Sequence, residues 1–158
     1  MASILKTDKI EGVTSSGTVQ MPAGHVIQTV ITASSSDIDT TSSSFVATGL
    51  IVSITPKFSN SKIIVTLTGG VQTRDTSGMT GRTDLYRQLT GGSYTSVVML
   101  SNNTLASTYG IGHSSQYIDT SHSTTNAINY QPYFKTTAGT YWFNYDTTIN
   151  LIAQEIAQ

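Results

Sequence analysis

Cysteine is absent from the 158-residue chain. That excludes disulfide staples, thiolate zinc sites, iron–sulfur clusters and cysteine nucleophiles. Charge is scarce. Only 11% of residues are Asp, Glu, Lys or Arg, against about 25% in an ordinary soluble domain. The 8 Lys+Arg nearly balance the 9 Asp+Glu, leaving a net charge of −1. A chain so balanced lacks the basic face that nucleic-acid binding needs. Glutamate occurs twice, at Glu11 and Glu155, so long helices are poorly supported. No apolar run approaches a membrane span, and Met1-Ala2-Ser3-Ile4-Leu5-Lys6 has no apolar signal core. The reading is a chain made in a cytoplasm, without signal peptide or membrane insertion.

What fills the gap is Ser and Thr, together close to a third of the chain. Ile, Val and Thr are abundant, with 8 Tyr, 4 Phe and 1 Trp. That mix suits pleated, half-buried surfaces. A mass of 16.9 kDa fits one domain, able to bury roughly two thirds of its unfolded surface without staples. The chain reads as all-β with a neutral, hydroxyl-covered exterior.

Two regions are expected. Residues 1–24 hold Ile4, Leu5, Ile10 and Val13 at no clean period and end at Pro22-Ala23-Gly24. They read as an extended arm with apolar teeth, able to span up to about 80 Å. Residues 25–158 read as a head of about eight to ten strands. HVIQTVITA, LIVSIT, KIIVTLTGG and TINLIAQEIA alternate or run apolar at strand length. RTDLYRQLT and YTSVVML flank Gly91-Gly92-Ser93 as a hairpin. Gly69-Gly70 suggests a bulge or a close backbone approach, and Pro132 an edge strand or a bend. Ser34–Ser44, Arg74–Gly81 and Ser101–Ser123 read as outward loops, the last with room for one short strand. The predicted architecture is an antiparallel β-sandwich of the jelly-roll sort. Its predicted core is Val26, Val30, Leu50, Val52, Ile54, Ile63, Val65, Leu67, Leu85, Val98, Leu100, Phe134, Trp142, Leu151 and Ile156.

Candidates for chemistry are thin. His113, Asp119 and His122 could together hold a metal ion, but their spacing matches no strong template. Serine is too common for a triad to carry information, and no Gly-x-Ser-x-Gly elbow occurs. The acids are scattered, without the paired carboxylates of a glycosidase. Glu155 alone lies in an apolar strand, where it is expected to face outward. No glycine-rich stretch runs into a lysine and a helix, so no phosphate loop is predicted. No catalytic residue and no cofactor are assigned. Tyr109 and Tyr117, in the long polar stretch, could stack on a sugar or receptor.

The opening carries Leu5-Lys6-x-Asp8-x-Ile10, then Pro22-x-Gly24-x-Val26-Ile27-Gln28. It resembles the start of virion structural proteins of marine tailed phages and cyanophages, often labelled tail fibre. Phe45-x-x-x-Gly49-Leu50-x-Val52-x-Ile54-Thr55-Pro56, Ser61-Lys62-Ile63-x-Val65 and the closing Glu155-Ile156-Ala157 resemble the same family. Residues 70–145 match it only in character. The resemblance implies a non-enzymatic virion component, a homotrimer with a jelly-roll head, acting as a tail fibre or host-recognition module. Ile4, Leu5, Lys6, Asp8, Ile10 and Val13 would then attach it to phage tail or capsid proteins. A host surface glycan or protein would be its further partner. The first alternative is a capsid decoration (cement) protein; the second is a carbohydrate-binding β-sandwich module.

Overall fold

The computed structural model describes residues 22–75, 77–104 and 110–158. The attachment-arm residues and Tyr109 lie outside them. The described chain forms β1 (Val26–Ser34), β2 (Ile38–Thr40), β3 (Val46–Ala47), β4 (Val52–Ile54), β5 (Lys62–Arg74) and β6 (Thr80–Leu89). It continues with β7 (Thr95–Thr104), β8 (Ile111–Asp119), β9 (Ile128–Thr136), β10 (Tyr141–Asn144) and β11 (Ile149–Ile156). No helix occurs among the described residues.

The strands make two antiparallel sheets. In the first, β11 lies between β1 and β5, while β8 pairs with the opposite edge of β5. The short β10 and β2 extend it from the end of β5. The second sheet runs β3-β9-β6-β7, with β4 also on β9. Set aside β2 and β10, and count β3 and β4 as one interrupted strand. Eight strands remain, and in chain order they lie 1-8-3-6 in one sheet and 2-7-4-5 in the other. That is the order of a jelly roll, two Greek keys folded into a sandwich.

Period-2 alternation drives the packing. Ile149, Leu151 and Ala153 of β11 and Ile63, Val65 and Leu67 of β5 are all buried, with Leu151 opposite Leu67 and Ala153 opposite Val65. Leu85, Ile128, Tyr130 and Phe134 face them from the second sheet, joined by Val52, Ile54, Tyr141 and Phe143. Each large apolar side chain buried this way stabilises the fold by roughly 1.5–3 kcal/mol.

The structure corrects several expectations. Val26 is 52% exposed, because a register shift between Val26 and Gln28 turns it to the outer face beside Ile156. Val30, Val98 and Leu100 are only partly buried against the core, and Trp142 and Ile156 are half-buried. Ser34–Ser44 contains β2. Arg74 closes β5 and Thr80 opens β6, so the loop between them is shorter than Arg74–Gly81. Ser101–Ser123 is not one long loop: it contains the end of β7 and the nine residues of β8.

Pro132 lies in an interior strand, not at an edge. Its carbonyl accepts hydrogen bonds from Thr48 N at 3.1 Å and Thr48 Oγ1 at 2.9 Å. In an antiparallel strand the nitrogen points to the same side. The missing N–H therefore falls where the neighbouring edge is broken between β3 and β4. Gly69 and Gly70 sit at φ 77° and 63°, where pairing with β8 shifts register. A Cβ on Gly70 would lie 2.9 Å from Ile149 Cβ and 3.0 Å from Asn144 Oδ1. Only glycine meets both demands.

Candidate interaction surfaces

The outer face of the first sheet is built by the opposite phase of the same strands. Three cross-strand rows follow from the register: Thr29-Gln154-Ile64-Ile118, Ile31-Ile152-Thr66-Gln116 and Ala33-Asn150-Thr68-Ser114. Val26 and Ile156 add a fourth pair beside Lys62. Ile31 is 59% exposed and Ile118 49%. Apart from Lys62 at one end, these rows carry no charge. Solvent-facing sheets ordinarily carry charged residues that discourage strand and face association. Ile64 and Ile152, half-buried between Ile31 and Ile118, complete an apolar strip across this nearly uncharged face.

Between the sheets lie three buried polar knots. Glu155 is fully buried on the same phase as Leu151 and Ala153, so the sequence reading of an outward residue is overturned. Its carboxylate accepts from Lys57 N at 2.8 and 3.0 Å, Phe58 N at 3.1 Å, Ser61 Oγ at 2.8 Å and Gln28 Nε2 at 2.6 Å. Burial raises its pKa. The Lys57 amide, with Gln28, Ser61 and the Phe58 amide, more than offsets this and holds it below the ordinary range. The side chain thus clasps β1 and the turn before β5 onto β11.

Asp119 is buried at the end of β8. It accepts from Arg87 Nη1 at 2.6 and 2.8 Å, Tyr130 Oη at 2.7 Å and Ser121 N at 2.9 Å. Burial again raises its pKa, and the bonds from Arg87, Tyr130 and Ser121 bring it below the ordinary range. Asp119 therefore ties β8 of one sheet to β6 and β9 of the other.

His113 is the third knot. Nε2 lies 2.8 Å from Phe143 O, a group that can only accept, so the proton sits on Nε2. Nδ1 then accepts from Gln72 Nε2 at 3.2 Å. Gln72 Oε1 in turn accepts from Asn103 Nδ2 at 3.0 Å and from Tyr141 Oη. Burial depresses the imidazole pKa to about 4, against which the bond to Phe143 acts only partly.

His113, Asp119 and His122 do not meet as one cluster. Each is engaged with different partners, His122 Nε2 with Ser61 O at 2.8 Å. Among the described residues no group of three His, Asp or Glu side chains is placed to share a metal ion. Tyr117 sits on β8 and packs partly against the core rather than standing in a loop.

The outer face of the second sheet has a different chemistry, and sequence reading missed it. β9 and β6 set Lys135 opposite Arg82, and Arg82 is opposite Asn102 of β7. Phe45, just before β3, lies under both cations, 4.8 Å from Lys135 Nζ and 5.3 Å from the Arg82 guanidinium. Tyr86 and Tyr133 stack at 4.1 Å, with Phe45 6.0 Å from Tyr86 and Tyr94 5.8 Å from Tyr133. Asp84 holds Arg82 by a two-pronged bond at 2.7 and 2.8 Å. The signal in the sequence was faint, because Phe45, the β6–β7 hairpin and β9 are separated in the chain.

Fold and surfaces together define a jelly-roll domain with one nearly charge-free face and one aromatic, cation-bearing face. The chain's fold is similar to that in a structure of infectious bursal disease virus, Gx strain, with a TM-score of 0.52 and 11% identity. The match covers all of this chain and 42% of that one, so the chain spans about two fifths of the length of that virus protein. A Gt-strain structure (TM-score 0.47, 12% identity, 100% and 43% covered) and a VP2 subviral particle (0.46, 14%, 99% and 37%) are weaker likenesses. No family model matches the chain, and no curated protein matches its sequence.

Proposed function

We propose that the chain is a non-enzymatic structural protein of a virion, built to assemble with copies of itself. The observation that carries this is the isoleucine-studded outer rows of β1, β11, β5 and β8, whose only charge among the described residues is Lys62 at one end. A surface with so little charge meets a copy of itself without like-charge repulsion and offers apolar area to cover. The jelly-roll order supports the reading, since that architecture recurs in viral capsid domains. So does the likeness in fold to the bursal disease virus structure.

More finely, we propose a homotrimeric tail fibre or host-recognition module of a tailed, cyanophage-like particle. Residues 4–13 would attach it and the jelly roll would form its head. The opening motif Leu5-Lys6-x-Asp8-x-Ile10 supports that finer reading.

Quantitative gel analysis of purified particles, paired with deletion of residues 2–13, tests it. A fibre is expected at a few to tens of copies. The deletion is expected to abolish attachment while the circular dichroism of the isolated chain stays that of a β-sandwich. Hundreds of copies would replace the fibre by a capsid decoration protein. Attachment that survives the deletion would overturn the role given to the arm, and absence from the particle would overturn the whole reading.

A further inference from the structure

A recess of about 400 Å³ opens on the outer face of the second sheet, lined by Ser43, Arg82, Asn102, Lys135 and Thr137 among others. Its lining is rich in hydrogen-bond donors. Lys135 has no acid partner among the described residues; its ammonium rests over Phe45 instead. Arg82 spends Nε and Nη2 on Asp84, which leaves Nη1 to a ligand. Thr137 Oγ1 accepts from Thr80 N at 2.9 Å, so its own hydroxyl proton is free to donate. Ser43 and the Asn102 amide make no hydrogen bond to the described residues.

The geometry points to a binding site for an acidic saccharide, a sugar ring bearing a carboxylate or sulfate. Two fixed cations side by side would take the anionic group by charge-assisted hydrogen bonds. The hydroxyls and amide around them suit the ring hydroxyls, which a bare anion would leave unused. The volume is that of a small-ligand site, at the lower end of the usual range. Phe45 and Asp84 hold the two cations in place before any ligand arrives, which lowers the ordering cost of binding. This inference stands on the second sheet's outer face alone and does not depend on the virion role.

An NMR titration of the full chain tests it with four probes: a sulfated disaccharide, a uronic-acid disaccharide, their neutral parent and inorganic sulfate. Both acidic sugars are expected to move the amide signals of Arg82, Lys135 and Thr137. The neutral parent and inorganic sulfate should each bind at least tenfold more weakly. Lys135→Ala should weaken acidic-sugar binding about tenfold with an unchanged melting temperature. If that variant is destabilised, Lys135→Gln and Asn102→Ala carry the test, with the same direction expected. Equal affinity for the neutral sugar or for sulfate alone would overturn the proposal. So would no response to the acidic sugars, or a folded Lys135 variant that binds like the wild type.

Discussion

Glu155 shows what a single residue does in a chain this poor in charge. Its carboxylate accepts from two backbone amides, a hydroxyl and a side-chain amide while fully buried. Glu155→Gln puts an NH₂ where two of those donors point. A loss of about 2–3 kcal/mol is expected, read by urea unfolding at pH 7; a loss under about 0.5 kcal/mol would mean the clasp is not structural. His113 gives a pH signature of its own. Its folded pKa of about 4 lies below the usual 6.5, so the unfolded chain takes up the proton first as pH falls. Its share of stability is whole above pH 6.5 and drains away between there and about pH 4, to a total on the order of 3 kcal/mol. Asp119 and Glu155 have folded pKa values held below their ordinary range. Their shares are whole above the unfolded carboxylate range and drain away from there as pH falls through the folded values, a lower window. Urea unfolding from pH 7 to about 5, above the carboxylate window, should therefore show a slope that His113→Gln removes. A slope unchanged by that substitution would contradict the assignment.

At the scale of elements, legibility followed the apolar alternation. β5 and β11 were readable because Ile63, Val65 and Leu67, or Ile149, Leu151 and Ala153, recur at period 2, and the β6–β7 hairpin because two strand-like runs flank Gly91-Gly92-Ser93. β8 was not, because its inward residues are His113, Ser115, Tyr117 and Asp119, which form a strand only by finding polar partners across the sandwich. The same cause hid Glu155: on sequence a charge in an apolar phase reads as outward, and its donors come only with the fold, from the turn at Lys57–Ser61 and from Gln28 of β1. Pro132 misled because an interior position requires a break in the adjoining strand, and the β3–β4 gap is a tertiary fact. The cationic recess was unreadable because its residues come from β6, β7, β9 and the approach to β3. Gly69-Gly70 was legible, since glycine pairs in strands have few other uses. Gly70→Ala is expected to cost about 2 kcal/mol or more, from the left-handed φ and the clash with Ile149. Thermal melting checks it; an unchanged midpoint would show that β5 can relax around the added carbon.

At the scale of the molecule, two sheets of one sandwich present opposite surfaces. The outer rows of β1, β11, β5 and β8 show isoleucine, threonine and glutamine with a single lysine at their margin, and the second sheet shows tyrosine, phenylalanine and two cations, one of them held by Asp84. The first suits permanent contact between identical chains, the second a small charged ligand. Ile152 lies near the centre of the first face, paired with Ile31 and Thr66, and is only half-buried. A lysine there should leave the fold intact and introduce a repelling charge into any contact between copies. Native mass spectrometry of the full chain and of Ile152→Lys is the most direct test of assembly through this face. The account predicts a trimer for the natural sequence and a folded monomer for the variant. A natural chain that stays monomeric at high micromolar concentration, or a variant that still forms the same trimer, would contradict it.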